Sequence, residues 1–268
     1  MGARHGNAND SRVKCDSYEF FNAHYAGMSC AIHIGTSGWN YKHWVGTFYP
    51  RDLPQKKWLA FYAEHFDTVE VNNTFYQLPQ ISTFTSWRET VASDFTFAIK
   101  ASRFITHMKK LTAPKTSTEK FFNRTEKLED KLGPILFQLP PRWQRNRDRL
   151  AEFLAAIPPD GRYAFEFRDP SWLESETYAV LRKHNAAFCI DDFRGKKSPR
   201  EITADFGYIR MHGPGEIAYA GSYPTMVLNQ WADQIKDWKE NLKAIYVYFN
   251  NDFQGYAVKN ALKLRELV

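Results

Sequence analysis

The sequence predicts a single (β/α)8 TIM barrel with long aromatic loops at the C-terminal face of its strands. Three observations carry this. Eight short runs rich in β-branched and aromatic residues recur along the chain, most are separated by a segment of helical length and pattern, and each stops at a polar residue. Strands alternating with helices make a parallel sheet, and near-continuous apolar runs suit strands covered on both faces. At 268 residues the chain has the length of one such domain.

In chain order, the first strand is Ala31 to Thr36, followed by a long loop carrying Tyr41, Trp44, Phe48 and Tyr49 and punctuated by Pro50 and Pro54. A helix over Gln55–His65 leads to a strand at Thr68–Asn72. Ser82 or Thr83 is read as the cap of a helix reaching Val91, before a strand at Phe95–Lys100. A second long loop, through His107 and Lys110, precedes a helix at Thr118–Leu132. The fourth strand, Ile135–Leu139, is closed by Pro140-Pro141 and followed by a helix at Arg147–Ile157. Tyr163–Arg168, a helix at Glu174–His184 and Ala187–Asp191 come next. The basic stretch Arg194–Asp205 has weak helical pattern and is read as a short connection. The chain ends with strand Tyr208–His212, a glycine-rich loop, helix Val227–Leu242, strand Ile245–Asn250 and helix Tyr256–Leu267. Residues 1–27 are polar and mixed, with no apolar h-region, and do not read as a secretory signal. They are taken as an N-terminal extension, disordered or not native, ahead of a barrel domain at 28–268.

A formal charge of +6 favours anionic partners: a small anionic substrate or nucleic acid. Eight Trp and fourteen Tyr exceed what a core needs, so some are expected to line a cleft. Three cysteines, Cys15, Cys30 and Cys189, show no metal-ligand spacing and an odd count, which points to a reducing, cytoplasmic setting without disulfides. No apolar run approaches the roughly 20 residues of a membrane helix, so no membrane partner is expected.

Chemistry in such barrels gathers at the C-terminal strand ends. There the polar stops are Thr36 and Ser37, Glu70 and Asn72, Lys100, Gln138, Glu166 and Arg168, Asp191, Arg210 and His212, and Asn250. Residues two apart on a strand share a face. Outer faces pack under helices, so Glu166 with Arg168, Arg210 with His212, and Glu70 with Asn72 should point into the mouth. Carboxylates and cations crowded in a partly dry mouth shift each other's pKa values, the condition for acid–base work. The plainer reading is a ring of inward ion pairs, such as Glu166 with Arg210, although buried charges are a poor source of stability.

Gly213-Pro214-Gly215 and Asn250–Gly255 form a second candidate, either an anion site at a helix N-terminus or simple turn chemistry with Asp252 capping the last helix. The sequence leaves the cofactor unknown. A divalent metal on Glu70, Glu166, Asp191 and His212 is the weaker alternative, because inward cations compete for the same carboxylates and no local signature such as His-Glu-x-x-His is present. Ser37 follows no nucleophile-elbow pattern and is read as a substrate contact or a turn cap. Trp39, Trp44, Phe75, Tyr76, Trp172, Tyr219 and Tyr223 lie in loops on the same face, where they could stack on sugars or bases or hold the loops together.

These residues, in this order, resemble the YecE-like family, a domain of unknown function with a TIM-barrel fold. The matching pieces are Gly35-Thr36-Ser37-Gly38-Trp39 with Trp44, Glu70-Val71-Asn72 with Phe75-Tyr76, and Lys100-Ala101-Ser102 with Thr106-His107. They continue through Gln138-Leu139-Pro140-Pro141, Glu166-Phe167-Arg168 with Ser171-Trp172, and Arg210 with His212-Gly213, to Tyr248–Asp252 and Asn260-Ala261. The resemblance covers Cys30 to the end and implies the fold. Similarity of that barrel to endonuclease IV and sugar isomerases is fold-level analogy, which establishes no reaction. The metal-ligand set of endonuclease IV is not reproduced.

The expectation is an enzyme acting on an anionic, phosphorylated or sugar-like substrate by general acid/base chemistry, as a hydrolase, phosphoesterase or sugar-phosphate isomerase or lyase. Glu166 or Glu70 would serve as base or acid with His212 as proton partner. Lys100, Arg168 and Arg210 would stabilise negative charge. Asn72 and Asn250 would orient the substrate, with Ser37, Trp39, Tyr76, His107 and Asn251 completing its contacts. The alternative is a non-catalytic nucleic-acid-binding protein using the same cleft.

Overall fold

Parallel pairing runs almost completely around a barrel in the computed structural model, which describes residues 30–268; the expected extension at 1–27, with Cys15, lies outside them. The strands are β1 (Ala31–Thr36), β2 (Thr68–Val71), β3 (Thr96–Lys100), β4 (Leu132–Gln138), β5 (Tyr163–Glu166), β6 (Ala187–Phe193), the two-residue β7 (Lys196–Lys197), β8 (Phe206–Met211) and β9 (Ala244–Phe249). Their order is β1-β9-β8-β6-β5-β4-β3-β2, with β7 folded back antiparallel on the end of β6. The helices are α1 (Trp58–Ala63), the single turn α2 (Asn73–Tyr76), α3 (Ile81–Thr90), α4 (Pro114–Thr125), α5 (Arg147–Ala156), α6 (Ser175–Lys183), α7 (Thr225–Lys239) and α8 (Tyr256–Leu267). Among the described residues none is long and apolar enough to cross a membrane.

Closure between β1 and β2 is made differently from every other seam. One parallel bridge, Ser37 with Glu70, joins their ends. Below it the buried Tyr62 of α1 inserts its hydroxyl, which accepts from the Thr36 backbone N–H at 3.0 Å and donates to the Thr68 carbonyl at 3.1 Å. Gly35 makes room: a Cβ there would collide with the Thr68 carbonyl oxygen and crowd the Tyr62 hydroxyl.

Alternation sorts the strand side chains as expected. Val69, Val71, Phe97, Ile99, Phe137, Phe165, Ile209, Met211, Val247 and Phe249 face out into the layer beneath the helices. The barrel interior is filled unevenly, with Ala98, Ala164 and Ala187 on one side and Tyr208, Tyr246 and Tyr248 on the other. The same parity sends Glu70, Lys100, Glu166 and Arg210 inward, above this floor.

Several boundaries differ from the sequence reading. The helix expected at Thr118–Leu132 begins at Pro114, a residue pre-organised for a first turn, and ends at Thr125. A 3-10 segment, Glu126–Lys131, follows and is broken by Glu129 at φ 52°, so β4 starts at Leu132. The first helix is a 3-10 turn, Gln55–Lys57, running into the shorter α1. Ser82 and Thr83 lie inside the first turn of α3, whose cap position is Gln80 without a side-chain bond. β5 leaves the ladder after Glu166 because its neighbour continues into Pro140-Pro141, which have no N–H to donate. No helix separates β6 from β8, as the weak pattern of Arg194–Asp205 indicated.

Candidate active site at the barrel mouth

Arg210, on β8, is fully buried and holds the two buried glutamates apart and in place. Its Nη1 donates to Glu166 Oε2 at 2.5 Å, while Nη2 and Nε donate to Glu70 Oε1 at 2.8 and 3.2 Å. Ser37 Oγ donates to Glu70 Oε1 and Tyr208 OH donates to Glu70 Oε2, both at 2.7 Å. Glu70, on β2, is thus fully engaged, by Ser37 just past the end of β1 and by Tyr208 and Arg210 of β8. Burial opposes the charge on Glu166, but Arg168 and Arg210, with smaller help from His212 and Lys100, outweigh it and hold the carboxyl well below the usual range.

A second layer sits outside this one. Arg168 pairs with Glu166 Oε1 and reaches Asp191 Oδ2 at 3.5 Å, its guanidinium lying 3.9 Å from the centroid of the Phe193 ring. Its Nη2 also lies 3.1 Å from His212 Nε2. Burial and then Arg210 keep His212 well below the ordinary imidazole range. Burial and then the neighbouring Glu166 push Asp191 up to about 7, against the pull of Arg168. The other ring nitrogen of His212, Nδ1, is 3.0 Å from the Asn250 carboxamide.

Lys100 stands opposite, with its ammonium 4.5 Å from the centroid of Phe75. Among the described residues no carboxylate lies within ion-pair distance of it. Burial and then Arg210 bring it down to about 8. His107 packs edge-on against the same Phe75 ring and accepts or donates at 2.8 Å with Thr106. Burial and the nearby Lys100 charge lower it.

The structure therefore brings together Ser37, Glu70, Lys100, Glu166, Arg168, Arg210, His212 and Asn250, with His107 beside Lys100. It does not bring in Trp39, which turns away to meet Trp87 and Phe97 at ring-centroid distances of 5.2 and 6.5 Å. Tyr76 is 76% exposed, outside Phe75. Asn251 is buried and donates to the Gly221 carbonyl and to Asn260, a clamp between loops. Asn72 lies at the rim, where its Oδ1 is buried without a partner among the described residues. Trp44, Trp172 and Tyr223 are core residues that hold loops, whereas Tyr219 covers His212 at 5.7 Å. Asp252 does not cap α8; it pairs with His43 at 3.3 Å, and the cap position falls to Gly255 at φ 70°.

Two contributors were not singled out from the sequence. Tyr208 shares strand parity with Arg210 and His212, a signal that was available. Asp192 faces the other way, accepting from the His212 backbone N–H at 2.7 Å and from the Tyr223 hydroxyl, and so fixes the end of β8. Nothing in the sequence pairs it with Tyr223.

One ligand atom from each of Glu166, Asp191 and His212 lies within 4.8 Å of the others, a spacing that could hold a metal. The Arg168 guanidinium contacts all three side chains, so the set as arranged already surrounds a cation and fits a metal poorly. What the mouth offers chemically is a fixed pair of carboxylates, a neutral imidazole, a carboxyl that titrates near neutrality and an unpaired ammonium.

Comparison with known proteins agrees with this architecture. Residues 33–268 match the family model described as "Protein of unknown function DUF72". The UPF0759 protein YunF of Bacillus subtilis is 25% identical over 273 residues, spanning 88% of this chain and 94% of that protein. The UPF0759 protein YecE of Escherichia coli is 31% identical over 142 residues, 53% of this chain and 50% of that one. A DUF72 family protein from Thermotoga maritima has a similar structure, with TM-score 0.79 and 30% identity over 88% of this chain and 98% of its own. D-psicose 3-epimerase from Clostridium cellulolyticum shares the fold alone, with TM-score 0.53 and 10% identity over 88% of this chain and 95% of that one.

Proposed function

The chain belongs to the DUF72 family, and we propose that it is an enzyme whose barrel mouth takes a small anionic substrate, phosphorylated or sugar-like, and works on it by general acid/base chemistry. The observation that carries this reading is Lys100, a half-buried ammonium with no carboxylate partner among the described residues, in the same mouth as Asp191, whose carboxyl is pushed up to about 7. An unpaired buried cation is costly, and an arriving anion removes the cost. In this reading Lys100 anchors the negative group and Arg168 adds a second contact.

Proton transfer falls to His212 and Asp191 in preference to Glu166 and Glu70. Arg210 engages both glutamates, and Glu166 holds its negative charge too firmly to take a proton in turnover. A carboxyl with a pKa of about 7 is matched to acid/base work at neutral pH, and the neutral imidazole beside it serves as its acceptor rather than as a held acid. Glu70 and Glu166 then act as counter-ions that keep Arg210 and Arg168 in place. The test is calorimetric titration with inorganic phosphate and a panel of sugar phosphates. Binding that weakens as pH rises through 8 and disappears in Lys100→Met supports the reading. Binding unchanged in Lys100→Met overturns it.

A second reading, nucleic-acid binding without chemistry, draws on the exposed Tyr76 and Tyr219 at the rim and on the formal charge of +6. It requires oligonucleotide affinity that falls steeply with salt and survives Asp191→Asn.

A further inference from the structure

Beside the mouth, and separate from its charges, lies a cavity of about 700 Å³ between the loop after β1, the start of α1 and the outer face of α3. That volume lies within the range of small-molecule sites. Two half-buried indoles make one corner: Trp39 and Trp87 meet at 88°, with centroids 5.2 Å apart. Around them the lining is amide and hydroxyl in character. Asn40, Gln55, Asn72 and Asn73 supply carboxamides, and Thr83, Ser86 and Thr90 supply hydroxyls along α3. Lys56 is the one charged side chain among the described residues of the lining.

The walls are fixed before any ligand arrives. Gly38, at φ +101°, turns the chain so that Trp39 leaves the mouth for the cavity, and a Cβ on Gly38 would crowd the Tyr41 ring. Tyr41 donates to the Ser37 carbonyl at 2.6 Å, and Tyr49 donates to the Trp39 carbonyl at 2.5 Å. Gln55 donates to Asn40 Oδ1 at 2.8 Å, tying two lining residues together. Asn72, behind this wall, keeps a buried carboxamide oxygen that has no donor among the described residues.

From this chemistry we infer that the cavity is a binding site for a neutral saccharide ring. Flat indole faces take the C–H faces of a pyranose, and amides and hydroxyls, each able to donate and accept, match a ring of hydroxyl groups. A nucleotide is the poorer match, because one lysine leaves its phosphates uncompensated and no guanidinium stands among the described lining residues to stack on a base. The site does not depend on the reading of the mouth, and it stands if Lys100 binds no anion.

The experiment is nuclear magnetic resonance of the indole N–H signals, with those of Trp39 and Trp87 assigned through Trp39→Phe and Trp87→Phe. The probes are cellobiose, maltose and N,N′-diacetylchitobiose, with adenosine as the aromatic control, each taken to about 20 mM, where a millimolar Kd is largely saturated. At least one disaccharide is expected to move the Trp39 and Trp87 signals and leave the other indoles in place. In Ser86→Tyr, a change at an exposed lining position that fills the cavity, binding should weaken about tenfold or more while the remaining indole signals keep their native positions. The inference is overturned if no disaccharide moves the two signals, if the shifts persist undiminished in Ser86→Tyr, or if adenosine moves them more than any saccharide does.

Discussion

Arg168 Nη2 and His212 Nε2 lie 3.1 Å apart, a guanidinium facing an imidazole nitrogen. Arginine has only donors, so Nε2 must accept, and the ring is neutral with its hydrogen on Nδ1. Asn250 Nδ2 lies beside Nδ1, so this tautomer requires the carboxamide to be turned over, with Oδ1 accepting from Nδ1–H. This one contact fixes the protonation, the tautomer and the orientation of a neighbouring amide.

Nitrogen-15 spectra of the imidazole are therefore expected to show the Nδ1–H tautomer of His212, unprotonated well below pH 6.5, the ordinary imidazole value. A titration midpoint near 6.5 would contradict the contact. The linkage has a definite sign. Below about pH 6.5 the unfolded chain takes a proton that the native ring refuses, so His212 lowers stability as pH falls.

Asp191 has the opposite dependence. Its native pKa of about 7 lies above the ordinary aspartate value of 3.8, so between these limits the folded protein holds a proton that the unfolded chain has lost. Stability from this group is present below about pH 4 and is lost as pH rises through 7. Asp191→Asn should raise Tm relative to the parent by about 2 °C or more at pH 8, and by less at pH 5. Thermal unfolding at the two pH values checks this; a larger gain at pH 5 contradicts it.

Arg210→Met leaves Glu70 and Glu166 buried together without their shared cation. The expected loss is about 3–5 kcal/mol in urea unfolding. Tyr208→Phe removes one hydrogen bond to the Glu70 carboxylate and should cost about 1.5–3 kcal/mol. If the two variants proved equally stable, the network would not be centred on Arg210.

Tyr62→Phe strips the β1–β2 seam of its hydroxyl and leaves the Thr36 N–H and the Thr68 carbonyl unsatisfied. A loss of about 1–3 kcal/mol is expected. Hydrogen exchange should locate it, with the Thr36 amide accelerating more than those of the β8–β9 ladder. Uniform acceleration across the barrel would contradict a local role.

Strand parity made much of this legible. Glu70, Lys100, Glu166, Arg210 and His212 all follow from counting by twos back from where each apolar run stops, since the outer face has to be greasy beneath the helices. Trp39 was misplaced because a single positive φ at Gly38 reverses where the next side chain goes, and a motif read along the sequence carries no dihedral angle. Asp192 and Tyr223 meet across 31 residues of chain, and Tyr62 reaches a gap that exists only once two strands and a helix are placed. Such partners are set by tertiary distance, to which periodicity is blind.

The seam has a mechanical meaning. Around most of its circumference the barrel is a continuous weave of backbone, stiff to radial strain. At β1–β2 the weave gives way to a fastener, one bridge and one phenol, and the phenol is mounted on α1. Leu59 of α1 also lines the side cavity, one helical turn before Tyr62. The girth of the mouth and the shape of its neighbouring cavity thus hang on the same short lever.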